Sequence, residues 1–147
     1  VVVQNESGDW ESFAIEINLR QGGTTHPFVI LQFLTDGSYV AEEGLFRAPS
    51  GKAKYYFSSD HLESTAYRAF TPTDLFDILI RHRLHFDQSK QTGILLHMLA
   101  TVAENGRFGV VAVGDSQEEA EKLYQKVQTV IREESDKATA DLELPSA

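Results

Sequence analysis

The sequence predicts an α+β fold, an antiparallel sheet with packed helices, and three observations carry that prediction. Thr71-Pro72-Thr73-Asp74 reads as a helix start, with Thr71 as the cap, Pro72 at the first helical position and Asp74 three residues after the cap. Asn105-Gly106 separates the apolar run from Thr92 to Ala103 from the short β-branched run Phe108 to Val113, which is the pattern of a hairpin. Ser116-Gln117-Glu118-Glu119 is a capping box ahead of a stripe of Ala120, Leu123, Val127, Val130 and Ile131.

Taken in chain order, Val1 to Gln4 and Glu11 to Leu19 read as two strands joined by a turn around Ser7-Gly8-Asp9. His26 to Thr35 is apolar and helical in character, with Pro27 near its start and Gly37 as its terminator. Gly37 to Arg47 reads as extended, Pro49-Ser50-Gly51 as a turn and Lys54 to Ser58 as a strand. In the helix that follows Thr71, Leu75, Ile78 and Leu79 repeat at spacings of three and four, and Arg81 and Arg83 complement the dipole near its end. Residues 95 to 103 are compatible with a helix, but the pattern favours a hairpin with a long first strand. The last helix is expected to run to about Glu134, followed by a disordered polar tail over 135–147.

Composition narrows the function classes. Hydrophobic residues make up 41% of the 147, enough for a core. The formal net charge is −9 with no long basic run, which argues against a nucleic-acid partner. There is no cysteine, so neither a disulfide nor thiolate chemistry is available. No apolar run reaches the length of a membrane span and no signal-peptide pattern opens the chain, so no membrane partner and a cytoplasmic location are expected. The chain opens on an apolar β-branched run without methionine, and is expected to be the C-terminal piece of a longer protein.

The most informative stretch is FAIEINLRQGGTTHPF, residues 13 to 28. Side chains alternate between the two faces of a strand, so Glu16, Asn18 and Arg20 share one face, about 6.6 Å apart. Phe13, Ile15, Ile17 and Leu19 are then expected to face a core, because the opposite register would bury all three polar groups. A carboxylate and an amide oxygen in a row are ligands suited to a hard cation such as Mg²⁺. An arginine one step further can hold a phosphate or carboxylate with its planar fork. The turn at Gly22-Gly23 would let a substrate approach the backbone, with Thr24 and Thr25 as donors. An acid, an amide and a base are also what the solvated face of an ordinary antiparallel strand carries.

The run Glu16-Ile17-Asn18-Leu19-Arg20, followed by His26-Pro27, resembles the last metal-binding strand of the ATP-grasp superfamily. Its wider setting, EINLRQGGTTHPF, most resembles the peptide-forming carboxylate–amine ligases of the pheganomycin type. NGRFGVVAVGDSQEEAEKLYQKV resembles a small C-terminal element of several ATP-grasp enzymes, and FTPTDLFDILIRHRLHFDQSKQTGILLHML resembles the C-terminal domain of the pheganomycin-type ligases. Together these stretches cover most of residues 1 to 134.

The resemblance implies Glu16 and Asn18 as ligands of Mg²⁺ or Mn²⁺, with ATP as co-substrate. It implies Arg20 as the contact to the transferred phosphate or acyl phosphate, and Gly22, Gly23 and Thr24 along the acceptor side. The activity implied is activation of a carboxylate as an acyl phosphate and its ligation to the amine of an amino acid or peptide. The family takes a further acidic metal ligand from the preceding strand, and Val1 to Gln4 contains none. The lysines that grip ATP and the adenine pocket are expected to belong to an N-terminal portion of the longer protein as well, so this chain alone is expected to be inactive. Residues 1–70 would be the end of an ATP-grasp catalytic domain, and residues 71–134 a small helix–hairpin–helix module. The alternatives are a carboxylase-type ATP-grasp subunit and a non-catalytic binding or dimerisation module; oligomerisation is compatible with each.

Other chemistry-bearing residues have plainer readings. His82 and His85 read as a solvated basic helix end rather than a metal pair, since two histidines are too few ligands. His26 either borders a site or fills a structural hydrogen bond, and His97 reads as a core histidine. Lys52, Lys54, Tyr55 and Tyr56 read as an exposed hairpin, and Asp60 and His61 as a polar loop.

Overall fold

The computed structural model of the protein describes residues 1–15 and 22–143. It is α+β, as the sequence predicts. An N-terminal hairpin pairs β1 (Val2–Gln4) with β2 (Trp10–Ser12). After α1 (Thr25–Thr35) come β3 (Ser38–Val40), β4 (Leu45–Arg47) and β5 (Ala53–Glu63). A 3-10 turn at Thr65–Ala69 leads into α2 (Pro72–Arg81), followed by β6 (Gly93–His97). A 3-10 turn at Leu99–Thr101, the short helix α3 (Val102–Asn105), β7 (Arg107–Gly114) and α4 (Gln117–Glu143) complete the order. Strands β3 to β7 form one sheet in the order β3-β4-β5-β7-β6, and every neighbouring pair is antiparallel.

β7 organises the core because both of its faces are buried. Phe108, Val110 and Ala112 pack with Leu75, Ile78 and Leu79 of α2 and Val127 and Ile131 of α4. Val111 and Val113 face the other way, toward Leu31 of α1 and Phe46 of β4. A strand covered on both sides loses the apolar/polar alternation, which is why this segment reads as a continuous apolar run. The result is three layers: α1, the sheet, and α2 with α4.

The start of α2 is set locally. Thr71 Oγ1 accepts the Asp74 N–H at 3.2 Å while the Asp74 carboxylate accepts the Thr71 N–H at 2.7 Å, a complete capping box. Those bonds hold the Asp74 carboxyl below its ordinary pKa, the backbone N–H of Thr71 contributing most. The cap of α4 is arranged differently. Ser116 Oγ accepts the Glu119 N–H at 3.1 Å, but the Glu119 carboxylate accepts the N–H of Asp115 at 2.7 Å rather than that of the cap residue.

Several expectations change. The segment from Glu11 does not continue as a regular strand through Phe13 to Ile15, and Phe13 and Ile15 are exposed rather than directed into a core. Val2, Val3 and Trp10 of the same hairpin are exposed as well. Asp36 takes the left-handed conformation that ends α1, one residue before the expected Gly37. Asp60 and His61 lie within β5 rather than in a loop, at an irregularity between Ser59 and Leu62. Asn105-Gly106 is not a two-residue hairpin turn. Strands β6 and β7 do pair, but α3 intervenes, and Gly106 caps it with φ 64 beneath the Ser64 carbonyl.

α4 continues past the expected end at Glu134. Ser135 is buried, its Oγ donates to the Arg132 carbonyl at 2.9 Å, and Ala138 packs against the core. Glu134 also accepts from Arg81 of α2 at 2.9 Å and from Lys137 at 2.7 Å. Small residues thus carry the helical stripe beyond Ile131, where apolar periodicity gives no signal. Residues 144–147 of the expected tail lie outside the described residues.

Candidate functional site

The start of α1 sits over the rim of the sheet, and the two enclose a cleft of about 350 Å³. Gly23, His26 and Pro27 come from the α1 side, Ser58, Ser59 and Asp60 from β5, and His97 and Met98 from the end of β6. Each contribution has a local cause. Pro27 lies in the first turn of α1, where its missing N–H has no helical partner to lose. The Gly22 carbonyl accepts the Thr25 N–H at 3.0 Å, and Thr25 Oγ1 accepts the Gly22 N–H at 3.2 Å. This pair of bonds closes the turn, while the Thr24 side chain makes no capping bond. Among the described residues, nothing stands within 4 Å of a Cβ placed on Gly22 or Gly23.

The β5 wall is shaped by its bulge. Ser59 pairs with Val110 and Leu62 with Phe108, so three steps on β5 match two on β7. Bulges at a sheet margin re-aim side chains in this way. The Asp60 carboxylate meets His61 Nδ1 at 2.5 Å, and Arg107 donates to the Asp60 carbonyl at 2.7 Å and to its carboxylate at 3.4 Å. The bond to His61 is the main reason the Asp60 carboxyl lies below its ordinary pKa.

His97 ends β6 directly across from Gly109 of β7. A Cβ at position 109 would stand 2.1 Å from His97 Cε1, so the ring occupies space that only glycine leaves. Its other neighbour is His26, with ring centroids 4.7 Å apart and planes tilted by 47°. Partial burial lowers the His97 pKa below its ordinary 6.5, and the His26 charge lowers it further; Asp60 opposes both. The ring is therefore mostly neutral at neutral pH.

Of the residues expected to serve substrate, Gly23 lines this cleft and Gly22 and Thr24 flank it in the same turn. Glu16, Asn18 and Arg20, expected to hold metal and phosphate, lie outside the described residues. His97 is half-buried in the cleft wall rather than in the core, and His26 lines the same cleft. Ser58, Ser59 and Met98 were missed. Nothing in their local sequence sets them apart, because the pairing of β5 with β7 and the end of β6 bring them to the cleft. Met98 does adopt a left-handed conformation, φ 57, but that has no reliable signature in sequence.

Away from the cleft, His82 is not a free solvated end: it lies 3.4 Å from Glu134. Lys54 is buried rather than on an exposed hairpin, its ammonium held by Asp115 and two carbonyls. Among the described residues, no group of three or more metal-binding side chains comes together. No helix among them is long and apolar enough to cross a membrane.

Residues 74–127, from the first turn of α2 into α4, match the family model described as the PGM1 C-terminal domain, a C-terminal domain of ATP-grasp-type ligases. No curated protein and no solved structure matches the chain.

Proposed function

We propose that this chain is the C-terminal portion of an ATP-dependent carboxylate–amine ligase of the ATP-grasp class, similar to the pheganomycin-type peptide ligases. The match of residues 74–127 to the PGM1 C-terminal domain carries the reading. Two features support it. The Glu16-Asn18-Arg20 row precedes the matched segment in the order that the resemblance requires, and it runs directly into the turn at Gly23 that lines the cleft.

On this reading the chemistry has two steps: the γ-phosphoryl group of ATP passes to a substrate carboxylate, and an amine then displaces phosphate from the acyl carbon. Glu16 and Asn18 offer a carboxylate and an amide oxygen, donors that suit Mg²⁺, and the ion when bound would neutralise phosphate charge. Arg20 follows two residues later and grips a phosphate or acyl phosphate oxygen through its guanidinium fork. Gly22, Gly23 and Thr24 border the space for the amine, where an uncrowded backbone lets the acceptor approach. Residues outside this chain would supply the adenine pocket and the phosphate-gripping lysines.

A non-catalytic interaction module is the second reading, favoured by the exposed apolar side chains of α1, among them Phe33 at 82%. ADP release by the full-length gene product that carries this chain separates the two. Given Mg²⁺, mixed amino acids and peptides, the ligase reading expects turnover, and a fall of orders of magnitude in an Asn18→Ala, Arg20→Ala double variant that retains its fold. Normal turnover in that variant would remove the site assignment; no ADP release with any mixture would leave the module.

A further inference from the structure

We propose that His97 is the proton acceptor of the ligation step, taking the proton from the acceptor nitrogen after it attacks the acyl phosphate in the cleft. The inference rests on the ligase reading and supplies a base that no sequence motif identifies.

The geometry points to His97 for three reasons. The cleft, about 350 Å³, is within the range of small-molecule pockets, and suits an amino acid or the first residue of a peptide. Gly109 gives the His97 ring a fixed seat across the β6–β7 ladder, so the base is held on a rigid element. The groups facing the ring favour its neutral form. His26 on α1, with its ring 4.7 Å away, disfavours the protonated form of His97, while Asp60 on β5 pulls the other way but is already engaged by His61 and by Arg107 of β7. A base must be neutral before it can accept a proton. Among the described residues, His26 is the other imidazole of the cleft, and it is exposed.

The step balances without a further reactant. The neutral amine forms a C–N bond to the acyl carbon, and its nitrogen becomes positively charged. His97 removes that proton, which traps the adduct against return of the amine. The C–O bond then breaks, its electron pair leaves with phosphate, and the carbonyl re-forms as the amide. The imidazolium returns its proton to solvent.

The test separates the two half-reactions in the full-length gene product. Hydroxylamine at high concentration intercepts an acyl phosphate without a protein base, so hydroxamate reports activation and amide reports ligation. For His97→Gln, the expected result is hydroxamate formation within about twofold of the unsubstituted protein and amide formation lower by about 10²-fold or more, the usual scale of a general base. Amide formation at the unsubstituted rate overturns the assignment, as does equal loss of both products. A measurement that needs no variant guards against a folding defect. With a weakly basic hydrazide as acceptor, the ligation rate of the unsubstituted protein should rise with pH through a value below 6.5. A flat profile across that range overturns the assignment while leaving the ligase reading intact. Absence of hydroxamate from the unsubstituted protein removes both.

Discussion

Lys54 Nζ donates to the Asp115 carboxylate at 2.5 Å from a side chain that is almost wholly buried. Its remaining donors reach the carbonyls of Lys90 at 2.9 Å and Gln91 at 3.0 Å. One ammonium therefore ties together the start of β5, the loop before β6 and the junction between β7 and α4. A buried charge persists when all its donors are used, and here they are.

Lys54→Met removes that tie and leaves three acceptors short of a partner. The expected loss is about 1–3 kcal/mol of unfolding free energy, read by urea denaturation; the half-exposed Asp115 can turn to water, which moderates it. Lys52 is the control: it is exposed and 3.9 Å from the same carboxylate, so Lys52→Met should change stability by less than about 0.5 kcal/mol. Equal effects of the two substitutions would show that the buried tie contributes nothing particular.

Two glycines should respond differently to the same substitution. At Gly106, with φ 64, an added Cβ would lie 2.0 Å from the Ser64 carbonyl oxygen, so Gly106→Ala should cost about 1–3 kcal/mol. At Gly23 an added Cβ meets nothing within 4 Å among the described residues, so Gly23→Ala should change stability by less than about 0.5 kcal/mol. If Gly23→Ala nevertheless weakens ligation, its absent side chain serves a ligand rather than the fold.

The depressed pKa of His97 predicts a pH dependence of stability. The unfolded chain binds a proton at about the ordinary 6.5, and the folded chain only at a lower pH. His97 therefore contributes its full stability above 6.5. That contribution is lost as the pH falls from 6.5 through the folded-state value. Denaturant midpoints between pH 7.5 and pH 5 should fall more for the unsubstituted protein than for His97→Gln. Parallel curves would mean that the ring titrates as it does in the unfolded chain.

Ending the chain after Glu134 removes the buried Ser135 and the packed Ala138. The expected loss is about 1–2 kcal/mol from the apolar area uncovered, measured as a lower thermal midpoint. A shortened chain with the midpoint of the full one would mean that α4 has no stabilising contacts beyond Glu134.

What could be read in the sequence depended on how far each determinant reaches along the chain. The start of α2 was legible because Thr71 and Asp74 bond within three residues, and β7 was legible because burial on both faces leaves a continuous apolar run. The end of α4 was not, since Ser135 and Ala138 continue its stripe without apolar bulk. Nor was the burial of Lys54, whose partners lie 36, 37 and 61 residues away. At the candidate site, Gly23 came from the motif. Ser58 and Ser59 came from the pairing of β5 with β7, and Asp60 from the irregularity that follows them.

The sequence by itself determined the α+β class, the starts of α2 and α4 and the apolar strand β7, because caps and periodicity act between near neighbours. It also supplied the Glu16-Asn18-Arg20 row, which supports the functional reading that the match of residues 74–127 carries. Tertiary structure alone decided that His26 and His97 share one cleft, and that Asp60 borders it beside Arg107. Those pairings need α1 packed over the sheet and β5 bulged against β7. They are set by packing between distant segments, which no local pattern encodes.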